Sequence, residues 1–386
     1  MELQQALANL QKAKIKQKKL QKRTLCIAVP IGVVLGLLIV FAEEYFFESI
    51  DGTASSLLVF FFLTLPLQLI LHELGHLVFG LSSGYRFVSF RVFSFAFYKK
   101  EGKLRFGRYR VPGTIGQCLL VPTKDDDSMP YRALLLGGVI FNSVVTILFV
   151  IPLILCYHIK FLRLFSIGMI FWGIAFALGN GIPQKSGAAA NDGYHARILP
   201  KDSAARSVFF NQLRISAAMT EGKRLADMPR EWFSLPKDPA LDPLSASLAI
   251  MEAEREMDLA RLDSAEALLL DLATRGEDLP EPILSGILSE LLYLEMVGKH
   301  RRDVIETLRF ALDRYFKVMQ NSFTYLRIEI TYHYLFTGDV KQIQRLEKKF
   351  QKLKKHFPFT GEMAREELLI AYPKALYDNW RNSSHS

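Results

Sequence analysis

The chain has 386 residues, enough for two or three domains, and 50% of them are hydrophobic, a high share for a purely soluble protein. Its formal charge of +9 would suit a nucleic-acid binder, but the lysines and arginines cluster beside apolar stretches, where membrane topology signals belong, so no nucleic-acid partner is expected. Three widely spaced cysteines, Cys26, Cys118 and Cys156, argue against a disulfide framework and against a cysteine zinc site.

Residues 1–24 form a basic cytosolic tail, with Lys12, Lys14, Lys16, Lys18, Lys19, Lys22 and Arg23 just before the first apolar segment. Leu3, Leu7 and Leu10 share one helical face, so the tail reads as a helix on anionic lipid or, by preference, as a solvated charged helix that sets orientation. The first apolar segment, 25–41, is followed by Glu43, Glu44, Glu48 and Asp51 and by no cleavage pattern. It is expected to be an uncleaved anchor with its amino end in the cytosol.

Residues 57–81 then make the return span, which ends at Gly84 and an arginine-rich loop. Within that loop, Tyr85 to Tyr98 is dense in aromatic and β-branched residues, turns over Lys99 to Lys103, and returns as Leu104 to Val111. This predicts a β-hairpin over 85–111 at the cytosolic membrane interface. Two uses fit it equally: an aromatic interfacial anchor, or an edge strand that pairs with an extended substrate.

A second pair of spans, 133–157 and 161–181, is joined too tightly for anything but a helical hairpin and returns the chain to the cytosol. Residues 201–386 carry no further apolar run and read as amphipathic helices broken at Gly276, Gly298 and Gly338. The pairs Ile283 to Val297 with Arg301 to Tyr315, and Ser322 to Phe336 with Val340 to Leu353, predict helical hairpins of a tetratricopeptide-like repeat kind. The expected fold class is mainly α: a polytopic helical membrane protein of about four spans, an interfacial β-hairpin and a carboxy-terminal all-helical cytosolic domain. A bacterial plasma membrane with both termini cytosolic is the expected setting.

The chemistry is carried by Leu71-His72-Glu73-Leu74-Gly75-His76. On a helix, positions i and i+4 share a face, so both imidazoles reach one metal and Glu73 lies within reach of a water beside it. An ionisable group at membrane depth costs about 2.5–3.5 kcal/mol on insertion scales, so three of them in one span point to a task. A hydrolytic zinc site takes a third protein ligand. Asp192, in Asn191-Asp192-Gly193 just after the last span, lies on the same membrane side; His195 is a chemical substitute, and a carboxylate there also suits a helix cap.

These elements resemble the site-2 protease family of intramembrane zinc metalloproteases, peptidase family M50, over residues 50 to 200. The family pairs an HExxH in one span with an N-x-x-P and a later D-G in another, here Asn180-Gly181-Ile182-Pro183 and Asp192-Gly193. Leu136-Gly137-Gly138-Val139-Ile140-Phe141-Asn142 is similar to its glycine-rich segment ending in asparagine, with Val139 where proline is usual. The spacer from Gln184 to Asn191 is longer than the family's, the loop from Gly84 to Met129 is too short for a PDZ domain, and the carboxy-terminal part reads helical rather than as a CBS pair.

The resemblance implies Zn2+ held by His72, His76 and Asp192, with Glu73 as general base, and favours Asp192 over His195. It further implies that Asn142, Asn180 and Pro183 serve substrate or oxyanion binding, whereas the residue-level reading of Asn142 as interhelical hydrogen-bonding glue stands beside it. The implied activity is a metalloendopeptidase cleaving transmembrane or membrane-associated peptides near the cytosolic face. Expected partners are the bilayer, a membrane-embedded peptide or protein substrate, and a cytosolic protein bound by the helical domain. Two rivals remain: a zinc protease whose third ligand is a later glutamate such as Glu221 or Glu252, and a non-catalytic membrane scaffold.

Overall fold

The structure, a computed structural model, describes residues 2–47, 53–111, 114–124, 127–184, 190–235, 242–355 and 357–383, with the backbone alone for residues 24, 27–47, 53–55 and 380–383. Helix α1 (Glu2–Phe47) runs unbroken from the basic segment through the first apolar one. The expected span 25–41 therefore falls on helix, but its side chains from residue 27 onward lie outside the described residues. Three helices among the described residues are long and apolar enough to cross a membrane: α2 (Thr53–Ser82), α3 (Arg132–Leu155) and α4 (Lys160–Gly181). They pack mutually into a bundle. Gly75 and Gly137 face each other across the α2–α3 contact, and a Cβ on either would fall on the other's carbonyl. Small residues at the crossing let the two backbones touch, which brings the face of α2 that carries the histidines against α3.

The expected hairpin is a larger object. Four strands, β1 (Arg86–Val92), β2 (Phe95–Lys100), β3 (Lys103–Arg108) and β4 (Gly116–Val121), form one antiparallel sheet in the order β3-β2-β1-β4. The stretch 85–98, read as one strand, folds back at Phe93-Ser94, where Phe93 takes a φ of 55°. Neither glycine nor asparagine marks that two-residue turn, so the run of aromatic residues hid it. The other turn lies at Glu101-Gly102, both with positive φ, within the stretch where the sequence places it.

The two sheet faces differ sharply. Phe95, Phe97, Leu104 and Phe106 stand exposed on one, with Phe106 ringed by Phe95 and Phe97. On the opposite face Val88, Leu119 and Val121 pack against Ala217 of α6 (Ser203–Thr220), which follows the short helix α5 (Asp192–Ile198). Phe210 and Val208 of α6 also join a core that includes Tyr85, Leu120, Leu134 and Leu248, so α6 ties the end of the bundle to the carboxy-terminal helices.

Those helices are α7 (Pro243–Asp258), α8 (Leu262–Arg275), α9 (Glu281–Val297), α10 (Arg302–Met319), α11 (Phe323–Tyr332), α12 (Val340–Lys354) and α13 (Thr360–Ser383). Successive pairs α7/α8, α9/α10 and α11/α12 pack as hairpins, α9 packs on α8 and on α11, and Gly276, Gly298 and Gly338 close helical segments. At the centre Arg327 is fully enclosed, donating to Glu290 (2.6 and 2.8 Å) and Glu366 (2.8 Å). Arg365 adds a second cation beside Glu366 (3.2 Å) and Glu254 (2.6 Å), and a buried ionic network of this kind leaves little tolerance for losing one member.

The basic tail departs from both sequence expectations. Ala6, Leu10 and Ala13 are buried in the core formed by α8 and α9. Asn9 Nδ2 donates to the carbonyls of Ala273 (2.9 Å) and Thr274 (2.8 Å), satisfying groups that the last turn of α8 leaves without helical partners. Lys12 pairs with Glu277 (2.6 Å) and Lys16 with Asp278 (3.2 Å). The face of the tail that carries Ala6, Leu10 and Ala13 is thus packed against α8 and α9, while Lys12 and Lys16 on its other side stay exposed.

Candidate metal centre

One turn of α2 separates His72 from His76, and their Nε2 atoms stand 3.2 Å apart. Asp192, the first residue of α5, places Oδ2 3.3 Å from His72 Nε2 and 3.4 Å from His76 Nε2. Ligands held at 2.0–2.1 Å from one tetrahedral zinc are about 3.3–3.4 Å from each other, so this triangle of donors fits the ion and leaves its fourth corner open. The side chains of His72 and His76 are buried and that of Asp192 is 24% exposed, so the site opens on the Asp192 side. Burial opposes the Asp192 charge, but hydrogen bonds and charge from the two facing imidazoles, when these carry a proton on Nε2, outweigh it and hold the carboxyl well below its usual range. The donor is therefore an anion, as a zinc ligand must be.

Both imidazoles are held in the tautomer that metal binding needs. His76 Nδ1 lies 2.7 Å from the carbonyl of Leu134, which can only accept, so Nδ1 carries the proton and Nε2 the lone pair. His72 Nδ1 lies 2.7 Å from Asn142 Oδ1, whose amide is oriented by donating to the Gln68 carbonyl (3.0 Å) and to Gln68 Oε1 (2.6 Å). Gln68 Nε2 in turn donates to the carbonyl of Met169 (2.7 Å). A chain of hydrogen bonds thus runs from α4 through α2 and α3 to the ligand. Gly138 lies directly under it, where a Cβ would meet the His72 ring and His76 Nε2.

The structure places Asn142 between His72 and Gln68. Fully buried, it spends its amide on His72 and Gln68, which is the interhelical reading made specific. Asn180 Nδ2 turns back to the Phe176 carbonyl of its own helix (3.1 Å), and Pro183 is exposed just past the end of α4. Neither reaches the donors. The loop is closed instead by Asn191, whose Nδ2 donates to the carbonyls of Gly179 (2.8 Å) and Ile182 (2.6 Å) while its Oδ1 accepts from the amides of Gln184 and Tyr194. Asn191 is the cap of α5, which frees Asp192 to point at the histidines. Gly193 then lies so close to the Gly181 carbonyl that a side chain there would collide with it. Residues 185–189 of the long spacer lie outside the described residues.

His195 stands apart from the donor set, its ring against those of Tyr194 and Phe209 at 5.9 and 6.2 Å. Glu221 and Glu252 are likewise outside it. Glu73, buried on α2, lays its carboxylate over Gly116 at the start of β4, where any Cβ would strike Oε1. Arg91 of β1, also buried, adds a positive field at Glu73 and donates to the Phe93 carbonyl (2.8 Å) and to Thr114 Oγ1. Gln68, Gly116 and Asn191 were missed at the level of sequence. Only Asn191 carries a signal there, an asparagine directly ahead of a short helix.

No family model, curated protein or solved structure matches the chain.

Proposed function

We propose that this chain is an intramembrane zinc endopeptidase that cleaves transmembrane or membrane-associated peptides close to the cytosolic face. The observation that carries the reading is the triangle of His72, His76 and Asp192 donors, 3.2–3.4 Å on a side, set beside a buried carboxylate in a bundle of apolar helices. Bound zinc would supply an acidified water and a Lewis acid for the scissile carbonyl. Asn142 and the Leu134 carbonyl hold the Nδ1 side of both imidazoles, which leaves Nε2 to face the metal. Glu73 accepts the proton of the attacking water and passes it to the leaving amine, which Gly116 permits by leaving its carboxylate room. In this reading α2, α3 and α4 span the bilayer, and the sheet, α5, α6 and the helical domain lie at the cytosolic end.

The substrate is an extended membrane peptide, since a helix must unwind before its carbonyl is open to attack. β4 is an edge strand of the sheet and begins at the Glu73 carboxylate, so pairing along β4 would present a backbone to the site. The test is comparative profiling of membrane peptides in cells carrying wild-type chain or Glu73→Gln, with zinc measured on both purified proteins. Glu73→Gln should retain one zinc and lose cleavage by about 10²–10⁴-fold. Stoichiometric zinc with no Glu73-dependent product would instead leave a scaffold.

A further inference from the structure

Behind the sheet lies a cleft of about 780 Å³ that the catalytic reading does not use. Gln117 and Leu119 of β4, Met219 of α6, Met251 of α7, Met319 of α10 and Phe323 of α11 line it. It therefore sits between the sheet and the helical domain, in a volume typical of a ligand site. Three thioethers, those of Met219, Met251 and Met319, make its apolar lining adaptable to side chains of varied shape. Its charge is one-sided: Arg108, Arg110, Lys349 and Lys352 line it against one carboxylate, Glu362. Burial pushes the Glu362 carboxyl up to about 7, so at neutral pH it carries only part of its charge against four cations.

The position of the cleft matters as much as its lining. Consecutive residues of one edge strand face opposite ways: Gly116 touches the Glu73 carboxylate and Gln117 faces the cleft. A chain leaving the catalytic groups around β4 reaches the cleft within a few residues.

We propose that this cleft docks the cytosolic juxtamembrane segment of the substrate, an extended peptide carrying acidic and apolar side chains. The proposal rests on the endopeptidase reading for the identity of its occupant. Acidic side chains would meet the four cations, apolar ones the methionines, and the tether to the scissile bond would raise the local concentration of the membrane segment at the site.

The test uses full-length chain in lipid nanodiscs and a fluorescein-labelled peptide of alternating glutamate and leucine, with a lysine-leucine counterpart as control. The acidic peptide should bind and the basic one should not. Arg110→Glu combined with Lys352→Glu, both at exposed positions, should weaken binding about tenfold, while Glu73→Gln binds as wild type. Equal binding of both peptides, or no effect of the double substitution, overturns the proposal. In a second arm the acidic segment is appended to the cytosolic end of a membrane peptide identified by the Glu73→Gln profiling. KM should fall for wild type and not for the double variant, with kcat unchanged. Cleft-dependent binding without a change in KM means that the occupant is a separate protein, which also overturns the proposal. Cleft-dependent binding with no Glu73-dependent cleavage anywhere overturns the endopeptidase reading and with it a substrate segment as occupant, while the preference of the cleft for an acidic, apolar peptide stands.

Discussion

At the residue scale, the juxtaposition of the candidate donors was legible because helical spacing is a local rule: His72 and His76 share a face by sequence separation alone, with Glu73 between them. What orients them is not local. Asn142 and Gln68 come from different helices and meet only when α2, α3 and α4 pack, so no pattern in the string announces that Gln68 steadies the amide that steadies His72. Asn142→Leu is therefore expected to lower zinc affinity about 10–100-fold, as loss of a ligand's hydrogen-bond partner does, measured by chelator competition on purified protein. Gly116→Ala should behave oppositely. It displaces the Glu73 carboxylate without touching a ligand, so zinc stays bound while turnover drops by about a hundredfold. Loss of zinc in Gly116→Ala would show that β4 holds the metal site and not the base.

At the element scale, the apolar helices and the carboxy-terminal hairpins could be read because length, hydropathy and glycine breaks are properties of short windows: α3 (Arg132–Leu155) and α4 (Lys160–Gly181) lie within two residues of the expected 133–157 and 161–181. The sheet and the tail were less legible. Phe93 makes a turn with a residue that turns rarely use, and α1 buries Ala6 and Ala13, whose small side chains register weakly in a hydropathy window. If the tail is part of the α8–α9 core, Leu10→Ala should cost about 2–5 kcal/mol locally. Faster amide hydrogen exchange across α8 and α9 would report it, and a lipid anchor would leave that exchange unchanged. In α13, the raised pKa of Glu362 favours its neutral form in the folded chain. Its contribution is whole below the unfolded carboxylate value and is lost as pH rises through about 7. Glu362→Gln should thus protect α13 amides better than wild type at pH 8 and equally at pH 5.

For the whole molecule, the helical domain meets the sheet and bundle through α6, packed on the sheet and α3, and through the ring of Tyr109 against Phe357 and Phe359, while the first turns of α1 belong to the domain core and the same helix carries the first apolar segment. The sheet between them turns Phe95, Phe97 and Phe106 outward and faces α6 with its back. In the membrane reading that exposed face dips into the bilayer. Nitroxides placed at Phe106 and at Arg105, on opposite faces, should differ, with Phe106 the more accessible to oxygen in power-saturation spectra. Equal accessibility would leave the sheet in water. By itself the amino-acid sequence determined what neighbouring residues decide: where helices are apolar, where they break, and that His72, Glu73 and His76 share a turn. The meeting of Asp192 with those histidines, the hydrogen-bond relay through Gln68, the passage of β4 across Glu73 and the burial of the tail were decided only by tertiary structure. Each depends on contacts between segments tens to hundreds of residues apart, and such contacts leave no period in the chain.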